Sequence, residues 1–122
     1  GHIPQIAIAN LQAGFYEVVL VGAATKDNVN NAEFATRITD GTNHGEPNVG
    51  YCGANYCHIP ITIGTFYYET APSSPTTFTF QSASGSGTMI LYNSTGLAGL
   101  NQGNTQSPIG LRISVYYWPI NP

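Results

Sequence analysis

Two histidines and two cysteines between residues 44 and 58 are the side chains best suited to chemistry: His44, Cys52, Cys57 and His58. Two thiolates and two imidazoles form a ligand set that Zn²⁺ accepts. The spacing differs from that of a zinc knuckle, and adjacent residues such as Cys57 and His58 point to opposite faces of a strand. The cysteines also fit a small disulfide loop or two free thiols, and the disulfide is the interpretation we favour. We therefore predict no metal site.

The carboxylates are scattered along the chain. Acid–base catalysis needs two neighbouring carboxylates, or a histidine with an orienting partner. Asp40, His44 and Glu46 share one loop and would suit a catalytic or calcium site, but Asp and Glu beside Gly and Asn more often form turns. Neither a nucleophile elbow nor a phosphate-binding loop is present in the sequence. We predict that the protein is not an enzyme and needs no cofactor.

Two long polar stretches, 42–57 and 93–108, carry residues that suit sugar binding. Aromatic rings pack on the apolar side of pyranose rings, and amide side chains bond to the hydroxyls. Alternatively, the tyrosines simply pack on the ends of the fold. The predicted receptor- or glycan-binding residues are Asn48, Tyr51, Asn55, Tyr56, Asn101, Gln102 and Asn104.

Charged residues make up only 7% of the chain, against about 25% in a typical soluble domain. The cations, histidine apart, are Lys26, Arg37 and Arg112, which are too few to neutralise a run of phosphates or an anionic membrane surface. No apolar run is long enough for membrane insertion. Such a composition suits a protein outside cells, or one that buries much of its surface in an oligomer.

Short runs of Val, Ile, Thr, Tyr and Phe, separated by Gly, Asn, Pro and Ser, predict about seven strands. Helical periodicity is nearly absent. We expect an all-β fold, a single antiparallel β-sandwich of the jelly-roll type, over residues 3–122. Gly1 and His2 resemble the remnant of an expression tag, so we expect the rest to be a C-terminal fragment of a longer chain.

Several predicted strands are apolar on both faces, although one face of an antiparallel sandwich normally meets water. These are residues 15–23, residues 88–92 and the end of the last strand. Either long loops cover the outer faces or another subunit does, and we favour the subunit. The predicted interface residues are Tyr16, Val18, Leu20, Met89, Leu91, Arg112, Tyr116 and Trp118.

The charged residues on early strands suggest ion pairs. Glu17 and Arg37 are predicted to pair across neighbouring strands. Arg112 lies among apolar residues and needs a partner, for which Glu69 or a carbonyl group at a subunit interface would serve.

Three segments carry a family resemblance: 35–42 (ATRITDGT), 77–88 (TFTFQSASGSGT) with 90–93 (ILYN), and 111–117 (LRISVYY). Their order resembles the C-terminal domains of bacteriophage tail fibres, tailspikes and head fibres, which are similar to the jelly rolls of tumour necrosis factor and complement C1q. The resemblance implies a homotrimer on the virion, outside the cell. It also implies that the strands apolar on both faces form the trimer interface, while the two long loops form a tip that binds a host-surface polysaccharide or protein.

Two alternatives remain open at this point. The first is a capsid-decoration or head-fibre protein of the same fold, whose partner is the virion itself. The second is a monomeric carbohydrate-binding module or lectin.

The cysteine pair leads to a first prediction. If Cys52 and Cys57 are bridged, reduction should loosen the segment between them and leave the fold intact, because the loop that they close is small. Limited proteolysis and circular dichroism, with and without reductant, measure the two effects. Global unfolding on reduction would contradict this expectation.

Overall fold

The computed structural model describes residues 4–27, 32–52, 57–85, 88–92 and 112–120. Every regular element among them is a β-strand, and a search of these residues finds no helix that could span a membrane. The strands are β1 (Gln5–Ile8), β2 (Gly14–Asp27), β3 (Ala32–Thr39), β4 (Asn48–Cys52), β5 (Cys57–Tyr68), β6 (Thr76–Ser84), β7 (Thr88–Tyr92) and β8 (Arg112–Pro119).

The strands form two antiparallel sheets that pack face to face. Sheet A has the order β1-β6-β3-β4. In sheet B, β5 pairs with one side of β2, while β7 and β8 both pair with β2 as well. The predicted all-β sandwich is therefore confirmed. The position of β5 at an edge of its sheet also explains how Pro60 is tolerated there, because proline cannot donate a ladder hydrogen bond.

Strand β2 is the central strand of sheet B, with which β5, β7 and β8 all pair. Its first half pairs with β8, and its second half pairs with β7. The register with β5 shifts between Val21 and Ala24. Gly22 lies within this shift with a φ of 152°, a conformation that side-chain-bearing residues rarely adopt. The glycine therefore permits the irregularity at which the strand changes partner.

The core lies between the sheets and is built from alternate positions of the facing strands. β3 and β6 contribute side chains from sheet A, and β2 and β5 contribute side chains from sheet B. The main core cluster consists of Leu11, Tyr16, Val18, Leu20, Ile38, Phe66, Phe78 and Phe80. Phe66 and Phe78 pack with ring centroids 5.0 Å apart, which joins the two sheets through aromatic contact.

The sheets approach each other most closely where β3 faces β5. The hydroxyl oxygens of Thr36 and Thr62 form a buried hydrogen bond of 2.8 Å across the sandwich, and both side chains are almost fully buried. Nearby, a methyl group added at Gly64 would lie only 2.8 Å from Cβ of Ile38. Glycine at this position therefore allows the sheets to pack this closely.

Strand boundaries differ from the prediction in two places. The sequence of stretch 42–57 does not predict a strand, because Asn48 and Gly50 have low strand propensity. The structure nevertheless places β4 there, with Val49 and Tyr51 alternating with these two residues. Strand β2 also continues to Asp27, into what the sequence predicts to be a polar loop. In both cases pairing with a neighbouring strand outweighs local propensity.

The buried threonine pair leads to a second prediction. Thr36→Val should lower the free energy of unfolding by about 1–3 kcal/mol, because the hydroxyl of Thr62 then stays buried without a partner. The double variant Thr36→Val/Thr62→Val should lose much less than the sum of the two single variants. Denaturant unfolding measures each free energy.

Thr65→Val is the matched control, because Thr65 is on the same strand but exposed on the opposite face. Its effect should stay within about 0.5 kcal/mol. Strict additivity of Thr36→Val and Thr62→Val would show that the hydroxyl pair contributes nothing to the joining of the sheets.

Candidate functional site

The outer face of sheet B carries exposed apolar side chains on three adjacent strands, β5, β2 and β8. Phe15, Tyr116 and Trp118 are each 51% exposed, while Ile61 and Ile63 are 46% and 43% exposed. We call this surface the apolar face; its members are Phe15, Val19, Val21, Ile61, Ile63, Tyr67, Tyr116 and Trp118.

The strand register arranges these side chains in rows across the sheet. Phe15 lies between Tyr67 on β5 and Trp118 on β8, so three aromatic residues form the row at one end. The rings of Phe15 and Tyr67 are in contact, with centroids 4.6 Å apart. The rows toward the other end are mainly aliphatic.

Two charged residues share this face at different rows. Glu17 pairs in register with Tyr116, and Arg112 pairs with Val21. Since Glu17 and Val21 are four residues apart on β2, the two charges are separated by about 13 Å along the strand direction. Neither makes an ion pair with another described residue. A partner that covers this face would therefore contact one negative and one positive side chain.

Three of the predicted interface residues are wrong. Tyr16, Val18 and Leu20 are 4%, 0% and 1% exposed and belong to the core, so they cannot line a surface. Because β2 is apolar at almost every position, its alternation alone could not decide which face points inward. The outward residues are the intervening ones.

The other predicted interface residues are placed differently. Arg112, Tyr116 and Trp118 are exposed on the outer side of β8. Met89 and Leu91 belong to β7, but their side chains are outside the described part of the structure.

The predicted ion pairs are also wrong. Glu17 is in sheet B and Arg37 in sheet A, so they are not neighbours across strands. Arg37 instead donates from Nε to Oε1 of Gln81 at 2.7 Å. Glu69 follows the end of β5 that pairs with Gly14, at the opposite end of the sheet from Arg112.

The turn after β3 holds the Asp40 carboxylate in a set of hydrogen bonds. Its Oδ1 accepts from the backbone N–H groups of Thr42 and Asn43, and its Oδ2 accepts from the Asn43 amide. The hydroxyl of Tyr68 on β5 also donates to Oδ2 at 2.6 Å. The carboxylate therefore joins the turn of sheet A to sheet B.

Partial burial acts to raise the pKa of Asp40, but hydrogen bonds from Tyr68, Asn43 and Thr42 outweigh it and hold the pKa below its usual value of 3.8. Burial, together with the bond to Asp40, raises the pKa of Tyr68. The carboxylate stays ionised and Tyr68 stays a hydrogen-bond donor at neutral pH.

Among the described residues, Asp40, His44 and Glu46 do not form a cluster that could hold a metal ion. Thr39 Oγ1 donates to the carbonyl oxygen of Asn43 and lies 2.8 Å from His44 Nδ1, so the imidazole is tied to the turn. Within the described ranges, no cluster of three His, Cys, Asp or Glu side chains could hold a metal ion.

The predicted binding residues are only partly described. Asn48 and Tyr51 both lie on β4, where they point to opposite faces. Tyr51 is exposed on the outer side of sheet A, whereas the Nδ2 of Asn48 is buried and has no hydrogen-bond partner. Five further candidates, Asn55, Tyr56, Asn101, Gln102 and Asn104, lie outside the described residues.

The cysteine pair is also only partly described. Cys52 ends β4 in sheet A, and Cys57 begins β5 in sheet B. Their side chains lie outside the described part of the structure, so the bridge stays a prediction. The two cysteines therefore belong to strands of different sheets, whereas the sequence places both in the polar stretch 42–57.

No protein-family model matches the chain, and no curated protein matches it at a significant level.

The hydrogen bond between Tyr68 and Asp40 leads to a third prediction. The lowered pKa of Asp40 contributes stability that is present above the unfolded-state pKa and is lost as pH falls through the folded-state pKa. Tyr68→Phe removes one of the bonds that lower this pKa. The variant should therefore be less stable at pH 7 and lose less stability than the wild type between pH 7 and about pH 2.

Thermal or denaturant unfolding at a series of pH values measures this difference. Tyr67→Phe is the control, because Tyr67 is the adjacent residue but is exposed on the opposite face. Parallel stability–pH curves for Tyr68→Phe and the wild type would contradict the role given to the bond.

Proposed function

We propose that this chain is the receptor-binding domain of a trimeric bacteriophage fibre or tailspike, which assembles through the apolar face and binds a bacterial surface polysaccharide. The observation that carries the proposal is the exposure of apolar side chains across three strands of sheet B. The domain acts by assembly and binding, and not by catalysis.

The size of the apolar face supports an assembly role. Its strands are about 5 Å apart and rise about 3.3 Å per residue, so seven residues along each of three strands, which carry four outward rows, cover on the order of 300 Å². The largest apolar patch on a typical soluble monomer is about 300–600 Å² and is often functional, so the apolar face has a size that suits an interaction site. A standard interface buries about 800 Å² per partner, so the apolar face would form its centre.

The charges on the apolar face support a second copy of the chain as the partner. Among the side chains that the structure describes, Glu17 and Arg112 are the charged ones on this face, and they have opposite signs. When a neighbouring copy covers the face, Glu17 of one protomer can meet Arg112 of the next. A buried charge without such a partner would weaken the assembly.

The receptor role is supported by the family resemblance and by composition. The order of the segments 35–42, 77–88 with 90–93, and 111–117 resembles that of phage fibre tips, and such fibres act outside the cell. A surface that depends on amide and hydroxyl groups, with 7% charged residues, suits repeated contact with sugar hydroxyls.

A monomeric carbohydrate-binding module is the second candidate. The observation that favours it is the aromatic row of Tyr67, Phe15 and Trp118, because exposed rings on one sheet face can pack on pyranose rings. This candidate predicts a single-chain mass and retention on an insoluble polysaccharide that Trp118→Ala abolishes.

The charge arrangement leads to a fourth prediction. Light scattering should give a native mass near three chains. Glu17→Arg and Arg112→Glu should each weaken the trimer, because like charges then meet in the interface. The double variant Glu17→Arg/Arg112→Glu should restore much of the association, since the attraction is restored with its signs exchanged.

Glu33→Arg is the matched control, because Glu33 is exposed on sheet A, away from the apolar face. It should leave the mass unchanged. A single-chain mass for the wild type at all concentrations would remove the assembly proposal and favour the monomeric module. A trimer that neither single variant weakens would place the interface elsewhere.

A further inference from the structure

The outer face of sheet A contains a groove of about 720 Å³, on the opposite side of the sandwich from the apolar face. Its volume lies within the range of small-ligand sites. The floor is formed by paired residues of the two central strands, β3 and β6, and includes the pairs Arg37–Gln81 and Ala35–Ala83. Neither Asn48 nor Tyr51, the two predicted binding residues that the structure describes, lines it.

The groove follows from the size of the side chains along the register. Ala35 and Ala83 are paired across β3 and β6, and their short side chains leave a depression in the outer surface of the sheet. Pro4 flanks β6 on one side, where its carbonyl oxygen accepts from the N–H of Phe80. Pro47 precedes β4 on the other side. The two prolines therefore form the walls, and the alanines form the flat apolar floor.

The Arg37 side chain is held in place within this groove. Its Nε donates to Gln81 Oε1 at 2.7 Å, which fixes the plane of the guanidinium group against β6. No carboxylate among the described residues pairs with it. The N–H groups of the two terminal guanidinium nitrogens of Arg37 remain able to donate to a planar anionic group such as a carboxylate.

The position of the groove also restricts the class of ligand. β3 is paired with β6 and β4, and β6 is paired with β1 and β3, so their backbone groups are engaged in the ladders on both sides. An extended peptide cannot add here as a strand. A ligand must be recognised by side chains, namely the Arg37 guanidinium group, the Gln81 amide and the hydroxyl of Thr79 beside the alanine floor.

We propose that this groove binds an acidic saccharide, with Arg37 pairing with the carboxylate of a uronic-type sugar and the alanine floor packing against the apolar face of a ring. The inference rests on the proposed function and names the substrate class for it. The charge of the chain, −3 overall, makes Arg37 a localised positive position on a surface that otherwise disfavours anions.

An array of uronic-acid-containing bacterial polysaccharides, each printed beside its carboxyl-reduced form, tests the proposal. The wild type should bind at least one acidic form and lose about tenfold or more with its reduced form. Arg37→Gln should lose binding by a similar factor. Ala83→Phe should also lose binding, because it fills the floor without changing any charge.

Lys26→Gln is the charge-matched control: it removes one positive charge from sheet B and should leave binding unchanged. Circular dichroism of each variant establishes that it is folded. Equal binding of acidic and reduced forms, or full binding by folded Arg37→Gln, overturns the groove while leaving the receptor function in place.

Two further outcomes separate the inference from the function on which it rests. Loss of binding in Tyr51→Ala together with full binding in Arg37→Gln overturns the groove and places the ligand at the β4 edge. Absence of binding to every polysaccharide overturns both the groove and the polysaccharide receptor, whereas the trimer is tested independently by its mass.

Discussion

The close packing of β3 against β5 is the constraint on which the rest of the structure depends. The Thr36–Thr62 hydrogen bond and the approach of Ile38 to Gly64 bring the sheets together where β3 faces the edge strand β5. A strand has a side-chain period of two, so a strand that points Thr62 and Gly64 inward must point Ile61 and Ile63 outward. The apolar face is the direct consequence of this choice.

This choice could not be read from the sequence of β2 or β5, because both strands carry apolar residues at inward and outward positions. Either face of β2 would fill a core, and the sequence analysis selected Tyr16, Val18 and Leu20 for the surface. Small and polar residues determine which face of β5 points inward. The close contact between the sheets leaves room only for glycine at position 64, and the buried hydroxyl of Thr62 needs the hydroxyl of Thr36 as its partner.

Where one face of a strand is polar, the sequence alone predicts which face is buried. On β6, Phe78 and Phe80 alternate with Thr77, Thr79 and Gln81, a pattern that predicts burial of the two rings, and both are buried. Strand β4 was missed because Gly50 has little strand propensity, although that glycine lies close to the ring of Phe34. The groove was missed for a different reason: Ala35 and Ala83 are 48 residues apart in sequence and only the strand register brings them together.

The two outer faces of the sandwich therefore differ in chemistry, and in the proposed function this difference separates assembly from binding. Exposing apolar surface to water costs more free energy than exposing polar surface, so sheet B has the stronger tendency to be covered by another copy. In the proposed trimer, sheet A would face outward, with its groove accessible on each protomer. A single guanidinium–carboxylate contact in a shallow groove would bind weakly, but three grooves on one trimer would engage a repeating polysaccharide together. Once one groove is occupied, the others bind at a high effective concentration. In this proposal, a weak groove becomes an effective receptor site because the opposite sheet assembles the trimer.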